Sequence, residues 1–394
     1  MGLHVVMIGV YPLEPGVIVG GIESVTSTLV PALAAQDAID KVTVIRFHHG
    51  ETSRRYRRES EAVEVYLLRG QDRFRTITRS FRDVRRARRL IGELKPDIVH
   101  GQEIGWYGDI AARCSPNSVV TVHGLPHVEI GLSAQTRFRD RLRAKPVADM
   151  VKRVLREAKV VISISEYDRR ELTGLVCGTR VSIPNPTARE FFALAPSGPT
   201  EPRLLFAGVL SPRKNPEGLL NAFAIALEEV PSARLVMVGP CPDGEYQRSI
   251  TERAERLGLS GSLEFLGLVD NERLCEEIAK ARAVVLFSRE ETAPTILAQA
   301  MAAGKPAVAS RVGGVAEMVR DGESGFVVES GDEAGLAQRM VTVLADQDLC
   351  LQMGRRGHDI ALSRFEPAAV ASRTVDAYRL ALNPPGARRR RYFP

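Results

Sequence analysis

Glu291 and Gln299 stand eight residues apart in SREETAPTILAQAMAAGKPAVASRVGG (288–314), one ahead of a run of small helix-forming residues and one inside it. The apolar run AVVLFS ends at Ser288, so Glu291 and Thr292 fall in a strand-to-helix turn. The helix is predicted to begin near Pro294, which puts Gln299 about one and a half turns in. First-turn amides of such a helix have no intrahelical partner and face an anion readily. A carboxylate beside bound phosphate is repelled by it, but it is suited to accept hydrogen bonds from sugar hydroxyls attached to that phosphate. An amide both donates and accepts, which a ribose diol requires. The plainer alternative is that Glu291 and Thr292 cap the helix and Gln299 is polar filler.

Two further stretches carry possible anion chemistry. In FAGVLSPRKNPEGLLNAF a strand ends at Gly208, and Arg213 and Lys214 precede a helix. Adjacent cations beside a helix N-terminus suit phosphate oxygens, with solvated loop charges as the alternative. In YPLEPGVIVGGIESVTSTLV, Gly20 and Gly21 precede a helix. There they either let the backbone approach a ligand or serve a loop that needs left-handed dihedrals. The stretch lacks the full G-x-G-x-x-G fingerprint of a dinucleotide oxidoreductase. His123, closing VVTVHG, is on its own a loop histidine.

The elements that must position these residues follow from periodicity. Short apolar runs alternate with helical patterns in two series: LHVVMIG, VTVIRFH, VEVYLL, DIVHG, VVTVHG, VVISIS and RVSIPN, then RLLFAGV, RLVMVGP, LEFLG, AVVLFS, PAVASR and GFVVE. Such runs separated by helices predict two doubly wound α/β domains with parallel sheets covered on both faces. A length of 394 residues also exceeds what one core usually supports. Pro and Gly in FFALAPSGPTEPR (191–203) set the expected domains at 1–192 and 203–365. A helix over 366–385 and a basic tail over 386–394, containing Arg388 to Arg391, complete the chain. In sheets of this kind ligands bind beyond the carboxyl ends of the strands, where all the residues above fall.

Composition excludes other classes. The five cysteines are odd in number and include no C-x-x-C pair, which fits neither a zinc ribbon nor a disulfide framework and suits a reducing cytoplasm. The N-terminal apolar run is too short for a membrane span, lacks a leader's basic region, and is read as the first strand. Residues 1–190 carry 30 Lys and Arg against 22 Asp and Glu, and residues 191–394 carry 24 against 26, so the basic excess is N-terminal. Within it, 74–96 predicts a helix with Phe74, Ile77, Phe81, Val84, Ile91 and Leu94 near one face and arginines over most of the rest. The arginine face is either solvated or, over 73–95, attracted to an anionic membrane surface. No aromatic interleaving or binding motif supports nucleic acid. The sole D-x-D, Asp346 to Asp348, lies between helical segments, and no metal is expected.

The segment ETAPTILAQAMAAGKPAVAS closely resembles the E-x7-E region of the large family four retaining glycosyltransferases, and other stretches match in order across almost the whole chain. These are G-G-I-E (20–23), T-V-H-G (121–124), I-S-E-Y (164–167), I-P-N-P (183–186), R-K-N (213–215) and G-G-V-A-E-M-V (313–319). The resemblance implies the GT-B fold, two facing Rossmann-like domains with a cleft between them. The C-terminal domain holds the nucleotide-sugar, the N-terminal domain the acceptor, and the final helix returns to the first domain. It implies that Glu291 meets the donor sugar's hydroxyls, Gln299 occupies the ribose-binding position, and Lys214 binds the diphosphate. Gly20 and Gly21 then lie near donor phosphate and acceptor, His123 faces the donor sugar, and the Thr295 and Ile296 amides meet the distal phosphate, with Thr292 in the same turn.

Three positions depart from the family pattern. Val209 stands where an arginine is common, leaving Arg213 as its substitute; Gln299 is neutral where Glu is usual; and Pro294 cannot donate an amide where glycine is common. The expectation is a metal-independent hexosyltransferase acting in bacterial polysaccharide or glycolipid synthesis. A UDP-sugar is favoured over GDP- and ADP-sugars as co-substrate, with no cofactor. The hydroxyl acceptor is free or lipid-linked, the location is the cytoplasm or inner membrane face, and base selectivity is expected in loops 239–246 and 267–270. A GT-B nucleotide-sugar epimerase and a non-catalytic nucleotide-sugar-binding homologue are the alternatives.

Overall fold

The computed structural model describes residues 2–14, 16–48, 54–70, 80–133, 138–194 and 201–383. Two compact units form: Met1–Tyr11 with Leu29–Pro184 and Ala368–Pro394, and Pro12–Thr28 with Asn185–Pro367. The sheet of the first unit contains β1 (Leu3–Ile8), β2 (Ile39–His48), β3 (Arg54–Arg58), β4 (Val63–Arg69), β5 (Ile98–Gln102), β6 (Ser118–Val122), β7 (Val160–Ser163) and β8 (Thr179–Ser182). Their order is β3-β4-β2-β1-β5-β6-β7-β8. The sheet of the second contains β9 (Arg203–Ala207), β10 (Arg234–Val238), β11 (Leu263–Gly267), β12 (Ala283–Leu286), β13 (Ala307–Ser310) and β14 (Gly325–Val328), in the order β11-β10-β9-β12-β13-β14. Each is a Rossmann-like sheet flanked by helices, as expected.

Alternation along β1 explains the layering of the first unit. Val5 and Met7 enter one core with Leu29, Val30 and Leu33 of the helix Gly21–Ala34 and with Val370, Val375 and Tyr378 of the final helix, Pro367–Leu382. Val6 and Ile8 enter the opposite core with Val84, Ala87, Leu90 and Ile91. Both faces of the strand are therefore dry, which is why it reads as a continuous apolar run.

Three findings depart from the sequence reading. β3 pairs antiparallel with β4 in an otherwise parallel sheet. Its sequence RRYRR has no apolar period to signal a strand, and it sits at the sheet edge, where charge discourages further pairing. The basic helix is described over Phe81–Leu94, so Phe74 and Ile77 lie outside the described residues. Phe81 is 60% exposed instead of packed: at about 100° per residue it lies roughly 120° from the middle of the buried stripe. Finally, the chain changes units between Pro184 and Asn185, ahead of the 193–202 join read from the sequence. Phe191 is fully buried in the second unit's core, and Thr187 N–H donates to Phe365 O at 2.9 Å.

Candidate active site

In the second sheet β9 lies between β10 and β12, so the loops leaving the carboxyl ends of β9 and β12 adjoin at the point where strand order reverses. Lys214 comes from the first loop and Glu291 from the second. Pro212–Lys214 forms a 3₁₀ turn, Asn215 follows in the left-handed region at φ 51°, and Pro216 opens the next helix. The Lys214 stem packs against Gly208 at ordinary van der Waals range, where a Cβ would sit 3.5 Å from Lys214 Cε. The Lys214 ammonium meets Glu291 Oε1 at 2.5 Å, Arg213 approaches Glu291 Oε2 at 3.3 Å, and the Ser288 hydroxyl donates to Oε1 at 2.7 Å. Lys214 is only 9% exposed, so the solvated-charge reading fails for it.

Burial alone would raise the Glu291 carboxyl, but the Lys214 and Arg213 charges, with the hydrogen bonds from Lys214 and Ser288, outweigh it and hold the group below the usual carboxylate range. Glu291 is thus an anion at neutral pH. It does not cap the helix, whose N-cap is Pro294 with no side-chain cap bond and whose body is Thr295–Ala302. Its backbone is braced as well: Gly314 N–H donates to Glu291 O at 3.1 Å, and the Ser310 hydroxyl donates to Ser288 O at 2.5 Å. Ser288 and Ser310 were not singled out in the sequence; the only sign was that each ends an apolar strand run.

Thr292, beside Glu291, is 4% exposed, and its hydroxyl has no hydrogen-bond partner among the described residues. A buried orphan hydroxyl costs about 1–3 kcal/mol and marks a place where a ligand can repay it. Gln299 is buried and donates its amide to the Ser24 hydroxyl at 3.2 Å, a partner 275 positions away that the sequence could not indicate. A Cβ on Gly21 would sit 3.2 Å from Thr295 Oγ1, whereas one on Gly20 would meet nothing within 4 Å. Neither glycine has positive φ, so the left-handed-loop reading fails for both. These contacts place Pro12–Thr28 with the second unit. The amides of Thr295 and Ile296 open the helix.

His123 belongs to the first unit, just past β6, where its Nε2 lies 2.7 Å from Gln102 Oε1. Two further motifs serve as helix caps. Ser165 of I-S-E-Y caps a helix in a capping box with Asp168. Asp346 Oδ1 accepts from Leu349 N–H at 2.8 Å, making the D-x-D a helix cap. Among the described residues no group of three or more His, Cys, Asp or Glu is placed to hold a metal. In the two loops expected to read the base, Asp243 and Asp270 cap helices, and the Tyr246 hydroxyl donates to Glu217 at 2.6 Å.

Residues 19–186 match the Glycosyltransferase Family 4 model and residues 189–359 match Glycosyl transferases group 1. The chain is 31% identical over 310 residues to the D-inositol 3-phosphate glycosyltransferase of Geodermatophilus obscurus, covering 72% of this chain and 68% of that protein. This chain belongs to the group 1 and family 4 glycosyltransferases. It is 33% identical over 175 residues to the putative glycosyltransferase EpsD of Bacillus subtilis, and that match spans only 44% of each chain, less than half of the relative's length. Among solved structures, the sucrose-phosphate synthase of Thermosynechococcus elongatus superposes with a TM-score of 0.79 at 22% identity, over 96% of this chain and 98% of that one. HepE of Anabaena, solved in complex with UDP-glucose, gives 0.72 at 19% identity over 96% and 99%. These likenesses establish the GT-B fold for this member of the family.

Proposed function

We propose that the protein is a retaining glycosyltransferase that moves a sugar from a UDP-sugar to a hydroxyl acceptor in bacterial polysaccharide or glycolipid synthesis. The observation that carries this reading is the convergence of Lys214 and Arg213 on Glu291, one turn ahead of the Thr295 and Ile296 amides. Cations and helix amides suit a leaving nucleoside diphosphate, and the carboxylate suits the sugar hydroxyls beside it. The buried, unpartnered Thr292 hydroxyl and the unrequired glycine at position 20 give the same site an unfilled polar partner and an open backbone. The choice of UDP is supported by the UDP-glucose complex of HepE.

In the proposed reaction the bond between the anomeric carbon and the diphosphate oxygen breaks while a bond to the acceptor oxygen forms on the same face. The acceptor's proton passes to a phosphate oxygen of the departing diphosphate. Lys214 and Arg213 stabilise the charge that grows on that group; Arg213 supplies the second cation that Val209 does not. Glu291 orients the sugar, His123 meets a hydroxyl of it, and Gln299 faces the ribose. No step calls on a metal ion or nucleic acid. The exposed arginines 82, 85 and 89 are proposed to draw the enzyme to the anionic cytoplasmic face of the membrane, where a lipid-linked acceptor would lie. No helix among the described residues is long and apolar enough to cross a membrane.

A thermal-shift screen against UDP-, GDP- and ADP-sugars, followed by a transfer and hydrolysis assay on the hits, tests the reading. A UDP-sugar should stabilise the protein and be turned over with retention. Epimer formation would assign it instead to the epimerase class, and binding without turnover to a non-catalytic role.

A further inference from the structure

β5 ends in His100-Gly101-Gln102, and neither His100 nor Gln102 has any exposure. His100 Nδ1 lies 2.9 Å from the Tyr378 hydroxyl and Nε2 lies 2.8 Å from the Thr121 hydroxyl, so both in-plane positions of the imidazole are filled. Gln102 Nε2 stands 3.3 Å from one ring nitrogen and 3.2 Å from the other. An in-plane atom so nearly equidistant from both would overlap Cε1, so the amide lies over the ring face. Burial, and then the neighbouring His123, pushes His100 down to about 3, which leaves the ring neutral at physiological pH.

A neutral aromatic face is electron-rich, attracting an N–H and repelling a carbonyl oxygen. His100 therefore decides which way the Gln102 amide turns: its nitrogen over the ring, its oxygen away. That oxygen is the atom 2.7 Å from His123 Nε2. An amide oxygen only accepts, so His123 Nε2 carries a proton and, in the neutral ring, Nδ1 does not. Space for Gln102 is made by Gly9, where a Cβ would come within 2.6 Å of the Gln102 Cβ. Gly9 and Gln102 stand at the ends of β1 and β5, the reversal point of the first sheet.

We propose that Gln102 is a positioning residue that holds His123 in the Nε2–H tautomer, so that its Nδ1 serves as a hydrogen-bond acceptor for a hydroxyl of the transferred sugar. The role toward sugar rests on the proposed function; the tautomer does not.

The test is ¹⁵N NMR of histidine-labelled full-length protein, with the His123 signals assigned by a His123→Gln variant. Alongside it run UDP affinity and steady-state hydrolysis of a UDP-sugar. In the unsubstituted protein His123 should show a bare Nδ1 and a protonated Nε2. Gln102→Leu should populate both tautomers and lower kcat about tenfold or more while leaving the Kd for UDP unchanged. Gln102→Glu, whose carboxylate can only accept, should keep His123 Nε2 protonated as in the unsubstituted protein, which Gln102→Leu should not. A protonated Nδ1 in the unsubstituted protein, or an unaltered tautomer in Gln102→Leu, would overturn the proposal, as would an altered tautomer with kcat intact. Absence of hydrolysis in the unsubstituted protein would sink the transferase reading alone, since the NMR signals still decide the tautomer.

Discussion

Lys214 is bound to Glu291 at 2.5 Å, so a diphosphate that recruits the ammonium must compete with that carboxylate for it. Replacing Lys214 with Ala should lower turnover by roughly 10²–10³-fold, the usual cost of losing one preorganised charge at a leaving group, and near-normal kcat would refute the assignment. The same change leaves Glu291 buried with one cation fewer, which should destabilise the second unit by about 3 kcal/mol; thermal unfolding reports that separately from kinetics. Because the folded Glu291 carboxyl is depressed, the stability it contributes is complete above the ordinary carboxylate range and is lost as pH falls through its lower folded value.

His100 gives a second pH window. Its folded value of about 3 lies below the unfolded 6.5, so its contribution is complete above 6.5 and declines as pH falls toward 3. Trp106, the only tryptophan, packs against Phe47 and Tyr107 in the first unit and reports its unfolding. Between pH 7.5 and 5.0 the Trp106-detected stability should fall about 2 kcal/mol further in the unsubstituted protein than in a His100→Gln variant.

At the scale of elements, the helix Phe81–Leu94 divides into a buried face and an exposed, arginine-rich one. Val84, Ala87, Leu90 and Ile91 fill the core, while Arg86 and Arg88 donate to the backbone oxygens of Arg69 and Arg113. Arg82, Arg85 and Arg89 are exposed, Arg89 sharing its charge with Glu93 at 3.3 Å. Serine at all three should leave the fold intact and weaken sedimentation with anionic vesicles by about 3 kcal/mol, near 1 kcal/mol per charge. Equal binding by the variant, or no binding at low salt by the original, would remove the membrane proposal. The burial pattern of this helix was legible from its period except at Phe81, whose place depended on the centre of the stripe and not on its spacing. β3 was not legible at all, because an edge strand of arginines is specified by its partner, Tyr56 facing Tyr66 at 5.1 Å, and not by its own pattern.

For the molecule as a whole, the final helix completes the first unit. Tyr378 is fully buried beneath that unit's sheet and reaches His100 across 278 positions of sequence. Tyr378→Ala should therefore cost about 3–5 kcal/mol in the Trp106-detected transition, and Tyr378→Phe only about 1 kcal/mol. Equal effects would mean that the hydroxyl, not the packing, carries the stabilisation.

Local pattern alone determined the parallel strands, the two-sheet organisation and the turns that hold Lys214 and Glu291, since apolar period and Gly-Pro punctuation are written residue by residue. Tertiary structure decided what those side chains face. That Lys214 and Arg213 converge on Glu291 depends on β9 and β12 lying side by side although they are not consecutive in the chain, while Gln299 is held by Ser24 across 275 positions and Gln102 turns its oxygen to His123 across the neighbouring strands β5 and β6. No single strand, loop or helix contains both partners of any of these contacts. Only the folded sheets bring them within reach.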